Sequence, residues 1–233
     1  MDKNLGIYDF SAYPNKRERL FLWVYLPIHA LILPIAIGLL FPVAEDSNLG
    51  MINFLYYALG AVLAVGFCWR FLRQGFDLLC DRFIPCLFTV LFGYLATGVL
   101  NSLYLTVLTL LGGGISNMKN QVAEAAAQAG YGPMLAAAVF LAPILEELLF
   151  RGGIFAALRK KHRALAYVVT VFLFCFYHVW QYLLVSPEYL LSMLDYLAIS
   201  IMLCWTYDRT GTIWTPILLH MLVNWISALA TFS

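Results

Sequence analysis

The chain has 233 residues, of which 63% are hydrophobic and 12% charged, with a formal net charge of +1. Soluble globular chains are about half apolar and about a quarter charged, so an ordinary water-soluble domain is excluded and lipid becomes the expected solvent. The near-neutral balance also excludes the strongly basic face that nucleic acid requires. The fold class expected is all-α, a polytopic transmembrane helix bundle built as a single integral membrane domain over residues 1–233.

Crossing ~30 Å of hydrocarbon takes about 20 apolar residues in a helix. Runs of that kind lie at 20–44, 51–72, 84–111, 133–157, 165–185, 188–207 and 213–231. They predict seven helices, or eight if the long third run is broken. The first run is too long for the apolar core of a cleaved signal peptide and is expected to stay as an anchor. Cys68, Cys80, Cys86, Cys175 and Cys204 form no CxxC pair, so they read as packing residues rather than disulfides or a thiolate zinc site. Between the third and fourth runs, Gly112 to Pro133 opens with three glycines and carries an alanine-rich stretch from Val122 to Ala129. A short surface helix is expected there. Pro187 marks the hinge between the fifth and sixth runs.

Basic loops alternate with poor ones. Lys16, Arg17 and Arg19 precede the first run, Arg70, Arg73 and Arg82 follow the second, Arg159 to Arg163 the fourth and Arg209 the sixth. The intervening loops hold Glu45, Asp46, Lys119, Glu124 and Glu188. The positive-inside rule then puts the N-terminus in the cytoplasm.

Charged side chains inside apolar runs carry the functional information, because each costs about 2.5–3.5 kcal/mol at the bilayer centre. The fourth run contains Glu146, Glu147 and Arg151. Glu147 and Arg151 stand four apart with the acid first, the favourable order for an intrahelical pair. Glu146 is turned about 100° away on the helix and lacks that partner. Glu147 with Arg151 is therefore expected to orient the helix, and Glu146 to act as the base that takes a proton from water. A buried ion cluster that only fixes packing is the plainer reading of this helix alone.

His178 follows Phe174 in the fifth run, and His220 precedes Asn224 by one turn in the seventh. Counted from the nearest basic loop, Glu146, His178 and His220 lie roughly 17–23 Å deep, so they can meet at one level. Such a set suits hydrolysis by an activated water. His178 would position the water and assist proton transfer, while His220 and Asn224 would donate to the developing oxyanion. The same side chains are acceptable zinc ligands, and the sequence leaves that choice open. His29, alone in the first run, and His162, in a basic loop, receive no role. No HExxH or paired-aspartate GxGD motif is present, and no GxSx context within the apolar runs marks a serine nucleophile.

At these positions the chain resembles the CPBP family, which includes the CAAX prenyl endopeptidases and bacterial Abi-type proteins. The EExxxR motif corresponds to Glu146 to Arg151, FxxxH to Phe174 to His178, and HxxxN to His220 to Asn224. The stretch Thr210 to His220 looks like the family's lead-in, and the likeness covers about 133–231. The resemblance implies an all-helical intramembrane endopeptidase in a cell membrane, bacterial in setting, that acts on membrane-associated proteins or peptides. It implies no required cofactor, with zinc as an option. Eukaryotic members cut prenylated tails; Ala230 to Ser233 is not such a tail. Two other classes compete. One is a non-catalytic membrane protein, such as a bacteriocin self-immunity factor or a partner-binding regulator. The other is a proton-coupled transporter, for which an inverted repeat would be the sign, and none is visible.

Overall fold

The computed structural model describes residues 13–40, 49–110 and 131–232. Eight helices and no strand occur among them. We number them α1 (Lys16–Leu40), α2 (Leu49–Phe67), α3 (Trp69–Asp81), α4 (Phe83–Leu110), α5 (Gly132–Arg159), α6 (Arg163–Leu183), α7 (Pro187–Thr210) and α8 (Trp214–Phe232). Six of these, all but α3 and α8, are long and apolar enough to cross a membrane, and α8 adds a shorter apolar stretch, Trp214–Ala230. The polytopic bundle expected from composition is the fold observed. Side chains such as Leu39, Phe88, Val99 and Val168 are more than half exposed, an apolar surface too large for water and suited to lipid. The chain is an integral membrane protein.

One expected boundary shifts. The run at 51–72 ends at Phe67, and the chain turns at Cys68 into α3. Phe71, Leu72, Gly75 and Leu79 of α3 are buried while Arg70, Arg73, Gln74 and Asp77 are exposed. That one-sided pattern belongs to a helix lying along an interface rather than crossing it. Apolar content alone could not separate the end of α2 from the apolar face of α3. The third run is one unbroken helix, since Pro85 falls in its first turn, where no intrahelical N–H is lost. The surface helix expected within 112–133 falls almost wholly outside the described residues. All five cysteines are free.

α5 is the central element: 56% of its span is buried, against 22% for α1 and for α2. Leu145, Leu148, Leu149, Phe150 and Phe155 are essentially inaccessible. Small residues let its neighbours approach. A Cβ at Gly60 of α2 would stand 2.7 Å from Leu145 and 3.4 Å from His29, so glycine there brings α1, α2 and α5 together.

At the end carrying the basic loops, buried acids staple the helices. Glu18 caps α1 through Asn15, accepts from the Phe71 backbone N–H at 3.1 Å and pairs with Arg70. Asp208, 1% exposed, accepts from Nε of Arg159 and of Arg163, both at 2.6 Å, and from the Tyr167 hydroxyl at 3.1 Å. One carboxylate thereby ties the ends of α5, α6 and α7. His162 acquires a role as the N-cap of α6, its Nδ1 accepting from the Leu165 N–H. Replacing Asp208 by Ala strands two guanidinium groups and a phenol, and should cost about 2–3 kcal/mol. A lowered thermal midpoint of the purified protein in detergent is the expected result; an unchanged midpoint would show the staple to be energetically idle.

Candidate active site

The motif helix α5 is not a regular α-helix. Wide, π-type turns occupy Ala137–Leu141 and Leu148–Phe155, bracketing the two glutamates. Pro143 accounts for the first, because its ring clashes with the carbonyl four residues back and it has no N–H to donate. The turn widens so that Ala142 N–H bonds to Ala137 O, five residues back. In that register Pro143 offers nothing to Ala138 O. Asn224 of α8 fills the place: its Nδ2 donates to Ala138 O at 2.8 Å. π-type turns of this kind are rare and concentrate at functional sites.

Glu147 is fully buried and binds two partners through one oxygen. Its Oε1 accepts from Arg151 Nη1 at 3.1 Å and from His220 Nδ1 at 2.9 Å. Arg151, also inaccessible, reaches α7 with Nη2, which donates to the Ser200 carbonyl and hydroxyl, each at 3.1 Å. Its guanidinium lies 4.3 Å above the Phe174 ring. Phe174 serves twice, since its carbonyl accepts from His178 Nδ1 at 2.9 Å.

Both imidazoles are thus held by Nδ1 and present Nε2 to the same carboxylate. Glu146 Oε2 lies 3.7 Å from His178 Nε2 and 3.9 Å from His220 Nε2. Tyr196 stacks on His178 with ring centroids 4.3 Å apart. Glu146 is 3% exposed and His220 5%, while His178 and Asn224 are partly exposed and form the accessible side of the cluster. Of the residues singled out in the sequence, Glu146, Glu147, Arg151, His178 and His220 are joined by these contacts, while Asn224, one turn beyond His220 on α8, bonds to the Ala138 carbonyl instead. Among the described residues, no three His, Cys, Asp or Glu side chains are grouped so as to hold a metal ion.

The segment supplying this cluster also matches a known family. Residues 128–226 match the family model described as type II CAAX prenyl endopeptidase, Rce1-like. Over that segment the chain is similar to that family. Neither the curated proteins nor the solved structures yielded a match. The Rce1-like segment holds all three motifs and α5, α6, α7 and most of α8.

Residues outside the Rce1-like segment complete the surroundings, and the sequence reading passed over them. His29 of α1 is wholly buried and stacks on Tyr56 with centroids 4.3 Å apart. Its Nε2 lies 3.4 Å from the Tyr177 hydroxyl, which in turn lies 3.4 Å from that of Tyr57. One available signal was depth, since His29 lies 13 residues beyond Lys16 and so shares the level of Glu146, about 20 Å in. For Ser200, whose backbone carbonyl and hydroxyl anchor Arg151, no sequence signal existed.

Asn224 has two amide hydrogens, and one is committed to Ala138 O. Replacing it by Ala should orphan that carbonyl and lower stability by about 1–2 kcal/mol. Thermal unfolding checks this; a melt identical to the wild type would mean the carbonyl finds another donor.

Proposed function

We propose that this protein is an intramembrane endopeptidase that hydrolyses peptide bonds of membrane-associated proteins or peptides, with Glu146 activating water. The observation that carries this reading is the convergence of two Nδ1-anchored imidazoles on the Glu146 carboxylate. Separations of 3.7 and 3.9 Å are too long for direct hydrogen bonds and suit a shared water. The Rce1-like match supports an endopeptidase acting at a membrane.

In this mechanism the water oxygen bonds to the substrate carbonyl carbon as Glu146 takes its proton. His178 Nε2, an acceptor because Nδ1 donates to Phe174 O, holds the water. The charge on the carbonyl oxygen is met by the second N–H of Asn224 and by His220. Glu147 behind His220 Nδ1 supports an imidazolium that donates from Nε2, as a carboxylate does behind a catalytic histidine. Collapse of the tetrahedral species breaks the C–N bond, and Glu146 returns its proton to the leaving nitrogen. The products are a carboxylate and an amine. No step is routed through a metal. The partly exposed His178 and Asn224 form the side from which substrate would arrive, and the basic loops favour a cytoplasmic N-terminus.

The deciding experiment compares membrane-associated peptides from cells making wild type or Glu146→Gln at equal abundance. Peptides present only with the wild type establish proteolysis and identify substrates. Identical peptide sets, with both proteins folded in the membrane, would transfer the case to a binding or immunity role.

A further inference from the structure

We propose that the groove between α1 and α2, at the end carrying the basic loops, binds an anionic phospholipid. An acyl chain lies against the two helices, and the phosphate is held by Arg17 and Arg70. The groove has a volume of about 810 Å³. On α1 it is lined by Leu20, Val24 and Ile28, which recur every four residues and so form one stripe. On α2 it is lined by Gly66 and Phe67. Phe21 and Phe67 stack with centroids 4.3 Å apart and planes 6° apart, which joins the two helices across the groove. A Cβ added at Gly66 would meet no described atom within 4 Å, so the missing side chain leaves room there.

Length and depth suit a lipid tail. Ile28 lies 11 residues beyond Arg17, about 16 Å of helix. One leaflet is half of the ~30 Å hydrocarbon core, so the apolar stripe matches one acyl chain and is too short for a spanning partner helix. Leu20, Val24 and Phe67 are each more than half exposed, as lipid-facing side chains are.

The mouth is built for a phosphate. α3 lies along the interface and starts at Trp69, 62% exposed, a residue type that settles at headgroup level. Glu18 draws the first turn of α1 to that level, accepting from the Phe71 N–H at 3.1 Å and from Arg70 Nη2 at 3.2 Å. Its second bond to Oε2 comes from the Asn15 N–H, and the residue is 3% exposed. The acid is thus occupied within the protein while it aims Arg70 at the mouth. Arg70 gives one N–H to Glu18 and one to Gln74, which leaves three of its five donors for a ligand. Its side chain is 48% exposed. Arg17, also exposed, lines the same groove. Lys16, Arg19 and Arg73 add positive charge nearby in the chain, whereas Asp77 and Asp81 lie farther along α3, about 10 and 16 Å beyond Arg70. Guanidinium forks match phosphate oxygens. A zwitterionic lipid would bring a second cation against these arginines, so the anionic headgroup is preferred.

The test is native mass spectrometry of the purified full chain in a neutral detergent, titrated with phosphatidylglycerol or phosphatidylcholine of identical acyl chains. The first phosphatidylglycerol should bind roughly tenfold more tightly than the first phosphatidylcholine. Arg17→Gln should weaken phosphatidylglycerol about fivefold and leave phosphatidylcholine unchanged. Lys161→Gln removes an exposed charge at the same end but off the groove, and should change neither. Gly66→Trp should abolish the first site for both lipids. Its melting temperature without lipid should not fall, because an exposed helical glycine is being replaced. Equal affinity for the two lipids would overturn the proposal, as would equal losses from Arg17→Gln and Lys161→Gln, which would mean diffuse charge attraction. Binding that survives Gly66→Trp would place the lipid elsewhere. Inorganic phosphate that raises the melting temperature as much as phosphatidylglycerol would make the site one for a free anion. A dimer lost in Gly66→Trp would assign the groove to a second copy of the chain.

Discussion

Glu146→Gln is expected to lower kcat/KM by about two to four orders of magnitude, the range associated with removing a general base, without unfolding the protein. The amide matches the carboxylate in shape, but it cannot take a proton from water. Packing around it is unchanged, so the melting temperature should stay near that of the wild type. Glu146→Asp makes the complementary point, because it keeps the base and withdraws it by one methylene from the two imidazoles. Part of the activity should survive, with the loss falling mainly on kcat. If Glu146→Gln retained wild-type rates on any cleaved substrate, another residue would have to be the base, and two of the other buried acids are committed elsewhere. Glu147 is bound to Arg151 and His220, and Asp208 is bound to two arginines at the end of the bundle.

The second large effect concerns Arg151, and it should fall on stability before activity. Its guanidinium, 0% exposed, compensates a carboxylate that is equally inaccessible and ties α5 to Ser200 of α7. Arg151→Leu leaves Glu147 charged and buried with only His220 as partner, and breaking a buried pair from one side costs about 3–5 kcal/mol. That is comparable with a large share of a domain's total stability, so poor accumulation in the membrane is expected. Replacing both members, Glu147→Leu with Arg151→Leu, removes the uncompensated charge and should recover much of the loss. The double variant should nevertheless be inactive, since His220 would lose the carboxylate that fixes its Nδ1. Measuring melting temperature and cleavage on the two variants separates these roles. If the double variant were no more stable than Arg151→Leu, the Ser200 contacts rather than charge compensation would be what Arg151 contributes.

The sequence by itself determined the membrane fold and the core of the site. Apolar run length is a local property, and a charge in hydrocarbon is costly enough to be retained only for a reason. The helical membrane bundle, the pairing of Glu147 with Arg151 and the shared level of Glu146, His178 and His220 were therefore legible. Local pattern failed where a decision lay between elements. The break at Cys68 was invisible because α2 and the buried face of α3 are both apolar. The widened turn before Pro143 could have been suspected from the proline, but that Asn224 fills the resulting gap depends on α8 lying beside α5. The sequence paired Glu147 with Arg151, yet only packing shows that the same oxygen also holds His220. His29 illustrates the limit most plainly. In the sequence it is a lone histidine in an apolar run, and only the approach of α1 and α2 at Gly60 brings it against Tyr56 and within 3.4 Å of the Tyr177 hydroxyl. Composition and periodicity act along one chain segment at a time, whereas a hydrogen-bond chain across three helices exists only once the tertiary structure has brought them into contact.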